Sequence, residues 1–196
     1  MSVPPAVSVP RPSEPRDRLL ATASRLFYAE GIRSIGVDRL FAEASVTRAT
    51  FYRHYPGKQD LVVAYITTRD EQYRSLFAQA AGQITDPARL LHTLVVAISE
   101  TVCGDDFHGC PFINAAAEFP DPESPVHQAV QAHRAWFHAT LLDLLTAAGH
   151  PDPGRAARTF VMLRDGAMVG GRLDDQQDVI ASLTGAVDQL LAAVGH

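Results

Sequence analysis

The chain has 196 residues, 46% hydrophobic and 20% charged, with a formal net charge of -5, a balance typical of a globular protein with a proper core. Two cysteines exclude a disulfide framework. No apolar run is long enough to cross a bilayer, so the expected setting is cytoplasmic with no membrane partner.

Charge is uneven along the chain. Residues 1–60 hold nine Lys+Arg against six Asp+Glu, whereas residues 61–196 hold eight against sixteen. A basic end on an acidic body directs any polyanion to the first part.

The opening "MSVPPAVSVPRPSEP" is proline-rich and reads as a disordered tail over residues 1–14, neither signal peptide nor span. Ser13 is positioned to cap a first helix in which Leu19, Leu20, Ala23, Leu26 and Phe27 recur at helical spacing up to Gly31. "GVDRLFAEAS" predicts a short second helix, with Leu40 and Ala44 inward and Asp38 at its positive end. "SVT" makes a tight turn, and Thr47 caps a third helix that stops at Pro56-Gly57. A fourth helix carries Leu61, Tyr65, Tyr73, Leu76, Phe77 and Ala80 along one side.

Beyond it, a capping residue followed by proline opens "DPARLLHTLVVAISETV", "SPVHQAVQAHRAWFHATLLDLLTAAG" and "DPGRAARTFVMLRDGAMVGG". The last helix, "DDQQDVIASLTGAVDQLLAAV", begins with acids, as the helix dipole favours. No segment alternates as a strand would. The expected fold is all-α with about nine helices: a helix-turn-helix head over 15–60 and a helical body over 61–196.

The third helix carries the chemistry. "TRATFYRHYPGK" holds two arginines, a lysine, a histidine and three aromatics, with no acid. Phe51 and Tyr55 should pack inward on Leu40, Val46 and Leu61, leaving Thr47, Arg48, Ala49, Thr50, Tyr52, Arg53 and His54 on exposed or flanking faces. Arg48 suits bidentate contact with guanine, the hydroxyls of Thr47, Thr50 and Tyr52 suit phosphates, and small Ala49 allows close approach to a groove. Lys58 opposes the dipole at the start of the fourth helix, a misfit that a phosphate contact would explain.

Residues 31–61, "GIRSIGVDRLFAEASVTRATFYRHYPGKQDL", resemble the DNA-binding head of TetR-family transcriptional regulators. Val46, Thr47, Arg48, Ala49, Thr50, Phe51, Tyr52, His54, Tyr55, Lys58 and Leu61 fill the family's pattern. Ser45 stands where the family usually has glycine, which predicts mild strain in the turn. Gly36 replaces the usual Ser/Thr cap of the second helix. The resemblance implies that the body senses a small-molecule effector and dimerises, placing two recognition helices on a roughly palindromic double-stranded operator as a repressor.

Small-residue stretches "DGAMVGG" and "SLTGAV" suit close helix packing between subunits, with Met168, Val179, Leu183, Val187 and Leu190 as interface candidates. Phe77, His92, Phe112, Asn114, Trp136, Phe137 and Met162 are the pocket candidates, each competing with ordinary core packing. "GCPFINAAAEFPDPESPVH" also resembles a C-terminal pattern of some TetR-like regulators. "CGDDFHGC" groups Cys103, Asp105, Asp106, His108 and Cys110, but at no familiar zinc spacing, so a polar loop is expected. His127, His133 and His138 do not share a helix face. With no glycine-rich phosphate loop, nucleophile elbow or acid–base pair, no catalytic residue, metal or cofactor is assigned. The alternatives are a repressor sensing through the Cys103 and Cys110 thiols, or an enzyme using Cys110 or a histidine.

Overall fold

A computed structural model describes residues 14–192, which form nine helices and no strand. In chain order these are α1 (Pro15–Glu30), α2 (Val37–Ala44), α3 (Arg48–His54), α4 (Lys58–Gln83), α5 (Pro87–Val102), α6 (Pro111–Glu118), α7 (Pro125–Ala147), α8 (Pro153–Leu173) and α9 (Gln176–Leu191). Apart from Glu14, the tail expected over 1–14 lies outside the described residues, as does Ser13. The residue that caps α1 is Glu14, without a side-chain cap bond.

Local chemistry sets the helix limits. Asp86, Asp152 and Asp175 accept backbone N–H bonds at the starts of α5, α8 and α9, relieving donors that would otherwise be unsatisfied. Ser124 does not do so for α7, where Pro125 alone marks the start. α6 escapes a simple reading of the sequence, because its cap position is Cys110, which makes no side-chain bond.

In the head, Leu19, Leu26, Leu40, Phe51 and Leu61 are fully buried. The first turns of α4 belong to this core through Leu61, Val62, Tyr65 and Ile66, so a boundary at 60/61 passes along a helix shared by head and body. Farther on, α4 leaves α1 and packs on α7. Leu76, although 62% exposed, shares a side of the helix with Tyr73, Phe77 and Ala80, as expected.

In the body, α8 packs between α7 and α9, and α5 crosses the group. The α5–α8 crossing is close because residue 171 is glycine: a Cβ there would stand 2.4 Å from Val102 Cγ1. In the turn between α2 and α3, Ser45 adopts a left-handed conformation with φ 52°, at a cost of order 1 kcal/mol relative to glycine.

Candidate functional site

α3 has seven residues, too few to persist without tertiary support. Thr47 caps it by accepting from Thr50 N at 3.2 Å, and the two threonine hydroxyls lie 2.9 Å apart. Phe51 and Tyr55 fasten the inner side to the core. Thr47, Arg48, Ala49, Tyr52 and Arg53 are exposed and Thr50 is half-buried. The Arg48 guanidinium stands 6.0 Å from the Tyr52 ring centroid, a cation–π distance that orients the arginine outward along the helix face.

No acid among the described residues pairs with Arg48 or Arg53. Elsewhere in the head, Glu30 and Glu43 are already engaged. Arg39 binds both Glu30 and Glu43, and Arg25 binds Glu43. The hydrogen bond from Arg39 holds the Glu30 carboxyl below its ordinary pKa, and the bond from Arg25, then that from Arg39, does the same for Glu43. The positive charge left on α3 is therefore available to a polyanion. His54 is turned further inward than the sequence implies, with Nε2 buried and without a hydrogen-bond partner.

Lys58 is engaged within the fold. Its ammonium donates to the Ile32 carbonyl at 2.5 Å and lies 5.9 Å from the Phe27 ring, while burial, partly offset by Glu118, lowers its pKa. The misfit with the dipole therefore has a partner inside the fold, the loop between α1 and α2. Lys58→Met is expected to lower stability by about 1–2 kcal/mol while leaving the salt dependence of DNA binding unchanged. A salt slope shallower by about one with normal stability would return Lys58 to the phosphate contacts.

That loop is held from the body as well. The Glu118 carboxylate, at the end of α6, accepts from Ile32 N at 2.8 Å and Arg33 N at 2.6 Å. Arg33 returns a bond to the Glu118 carbonyl. The "CGDDFHGC" loop meets α1 too: Tyr28 hydroxyl donates to the Gly109 carbonyl and accepts from His108 N. Among the described residues there is no group of three or more His, Cys, Asp or Glu side chains placed to hold a metal.

A cavity of about 510 Å³ opens between α4, α5, α7 and α8, lined by Tyr73, Phe77, Leu94, His133, Trp136, Phe137 and Arg164 among others. His133 stacks on Phe112 with ring centroids 3.5 Å apart, and its Nδ1 lies 2.8 Å from Asp70 Oδ1. Burial lowers the His133 pKa, and the Asp70 bond only partly offsets it, so the imidazole is neutral at physiological pH.

The N-terminal portion, residues 19–65, matches the family model described as bacterial regulatory proteins, tetR family, and residues 87–187 match the tetracyclin repressor-like C-terminal domain. The chain belongs to the TetR family of transcriptional regulators. A TetR-family regulator from Streptomyces coelicolor, SCO4454, shares 45% identity with a TM-score of 0.89, covering 93% of this chain and 96% of that one. The regulator LmrA of Bacillus subtilis is 27% identical over 124 residues, 62% of this chain and 66% of LmrA. YjdC of Escherichia coli is 22% identical over 156 residues, 78% of this chain and 81% of YjdC.

Within this TetR-family body, the seven pocket candidates divide. Phe77, Trp136 and Phe137 line the cavity, and Phe112 lies beneath its His133 wall. His92 does not, since it turns to Asp188 at 3.6 Å on the outer side of α5. Asn114 instead donates to the His108 carbonyl and holds the preceding loop. Met162 is 72% exposed on a separate groove between α8 and α9.

The interface candidates also divide. Met168 and Val187 are buried within their own chain, and Leu190 packs against the core. Val179 and Leu183 line the groove, together with Met162, Gly166, Gly170 and Ser182. The α8–α9 packing buries Met168 and Val187 and leaves Met162, Val169 and Leu173 exposed. Sequence reasoning gave no place to Glu118 at the head–body contact or to Tyr73 and Arg164 on the cavity wall, and treated His133 only as a metal-ligand possibility. The thiol alternative gains no support: Cys103 is exposed, Cys110 is buried, and both are free.

Proposed function

We propose that this protein is a homodimeric repressor that sits on a palindromic operator through α3 and is released when a small molecule fills the cavity. The observation that carries this reading is α6. Near one end, Phe112 stacks beneath the cavity wall, and at the other Glu118 grips the loop joining α1 to α2. A ligand that displaces His133 would press on a helix two turns long whose far end holds the head. To empty the operator, it must favour the displaced form by a few kcal/mol.

Dimerisation through the α8–α9 groove fits its exposed Met162, with Leu173, 77% exposed, about three turns further along α8, and its glycines allow close helix approach. Two copies related by a twofold axis would offer two α3 helices to successive major grooves.

Fluorescence anisotropy on duplexes from the protein's own upstream region tests the proposal. The wild type should bind one duplex with preference and lose it when a cavity ligand is added. Arg48→Ala should weaken specific binding by about 1–3 kcal/mol and relax preference at one base position. Unchanged affinity and unchanged preference would remove Arg48 from base readout.

A further inference from the structure

The cavity carries a charge that apolar packing does not call for. The body beyond residue 60 is acidic, yet of its eight arginines Arg164 lines the cavity, Arg74 stands over its Trp136 wall, and Arg134 meets Arg164 through a shared acid. Their acid partners are only two. Asp70 serves Arg74 and the neutral His133, and Asp165 is divided, with Oδ2 on Arg134 at 2.7 Å and Oδ1 on Arg164 at 3.0 Å. Arg74 is thus matched by Asp70, whereas the single Asp165 carboxylate is shared by two guanidiniums, of which Arg164 is the buried one.

Arg164 is where that half-matched charge meets the cavity. It is 8% exposed and lines the space, and its N–H donors are only partly committed, to Asp165 and to the neighbouring Cys110 thiol. Glu100, the acid among the lining residues, is exposed, so solvent screens its charge. A buried guanidinium is costly to keep, and an apolar side chain would fill the same volume without that cost.

The aromatic walls decide the sign of the guest. An aromatic cage commonly receives cations, but Arg74 already stands 4.7 Å from the Trp136 ring and Arg164 5.8 Å from the Phe137 ring. Those faces are occupied by positive groups, which would repel a third. Tyr73 and Phe77 supply further flat surface suited to a ring.

We infer that the cavity selects an aromatic carboxylate, its ring between the aromatic side chains and its acid group paired with the Arg164 guanidinium. This inference rests on the cavity being the effector site. A planar carboxylate matches the guanidinium fork in bidentate fashion, which an amide or alcohol does not.

The experiment compares three probes of one shape on the intact protein: 2-naphthoate, 2-naphthamide and 2-naphthylmethylammonium. Binding is read by calorimetry and operator release by anisotropy. Wild type should bind naphthoate about tenfold or more tighter than naphthamide, bind the ammonium least, and release operator with naphthoate. Arg164→Met should erase the preference for naphthoate over naphthamide, and Arg164→Lys should retain part of it. If Arg164→Met does not fold, the ranking of probes on wild type together with Arg164→Lys still decides. If the amide or ammonium binds wild type as tightly as the acid, the carboxylate inference is overturned while the effector cavity stands. If none of the probes binds at millimolar concentration, both fall.

Discussion

Phe51→Ala is expected to abolish operator binding and to cost about 3–5 kcal/mol of stability. Phe51 is fully buried, with its ring centroid 5.0 Å from that of Phe41, 5.2 Å from Tyr52 and 6.1 Å from Tyr55. It is the principal attachment of a seven-residue helix that could not hold its shape alone. Removing the ring opens a cavity at the centre of the head and frees α3 from the angle that presents Arg48. Chemical denaturation measures the first effect and anisotropy the second. The contrast with Arg48→Ala is the diagnostic part, since that variant should lose affinity with its stability intact. A Phe51→Ala protein that bound operator normally would show that α3 does not need its docked position.

Glu118→Ala is expected to have the next largest consequence, on coupling more than on affinity. Its carboxylate accepts two backbone N–H groups of the loop that follows α1, where Gly31 takes φ 86° to turn the chain. Charge-assisted bonds of this kind contribute about 1.5–3 kcal/mol each when shielded. Solvent reaches part of this site, so about 2–3 kcal/mol in total is expected. The amides of Ile32 and Arg33 should exchange hydrogen faster. The ratio of operator affinities without and with a cavity ligand should fall towards one, because the body no longer grips the head. An unchanged ratio would show that the signal travels without the Glu118 contact, through α4 or through the Tyr28 bonds to the Gly109 loop. Glu118→Gln should fall between, since an amide oxygen can accept one of the two bonds but carries no charge.

The family itself was legible in the short head, where local rules dominate. The Thr47 cap, the left-handed Ser45, the uncapped Gly36 and the inward Phe51 and Tyr55 all stand as the sequence predicts. Each depends on neighbours within a few residues, and in helices this short only one side can face the core. The fold class follows for the same reason, because capping residues, N1 prolines and terminal glycines act within one turn of the chain.

Longer helices in the body are less readable. α8 carries apolar or small residues on more than one side, so periodicity alone cannot choose among Met162, Met168 and Val169. Packing against α5, α7 and α9 makes that choice, burying Met168 and exposing the other two.

What the amino-acid sequence determined alone was an all-helical chain with a basic recognition helix on a TetR-type head. Only the tertiary structure decided that Lys58 ties to Ile32 across 26 positions, that Glu118 reaches the same loop across 86, and that Arg164 shares Asp165 beside a cavity. The physical reason is range: caps and turns are settled by bonds between near neighbours, whereas the partner of a buried charge is whichever group the packing of distant helices brings within about 3 Å.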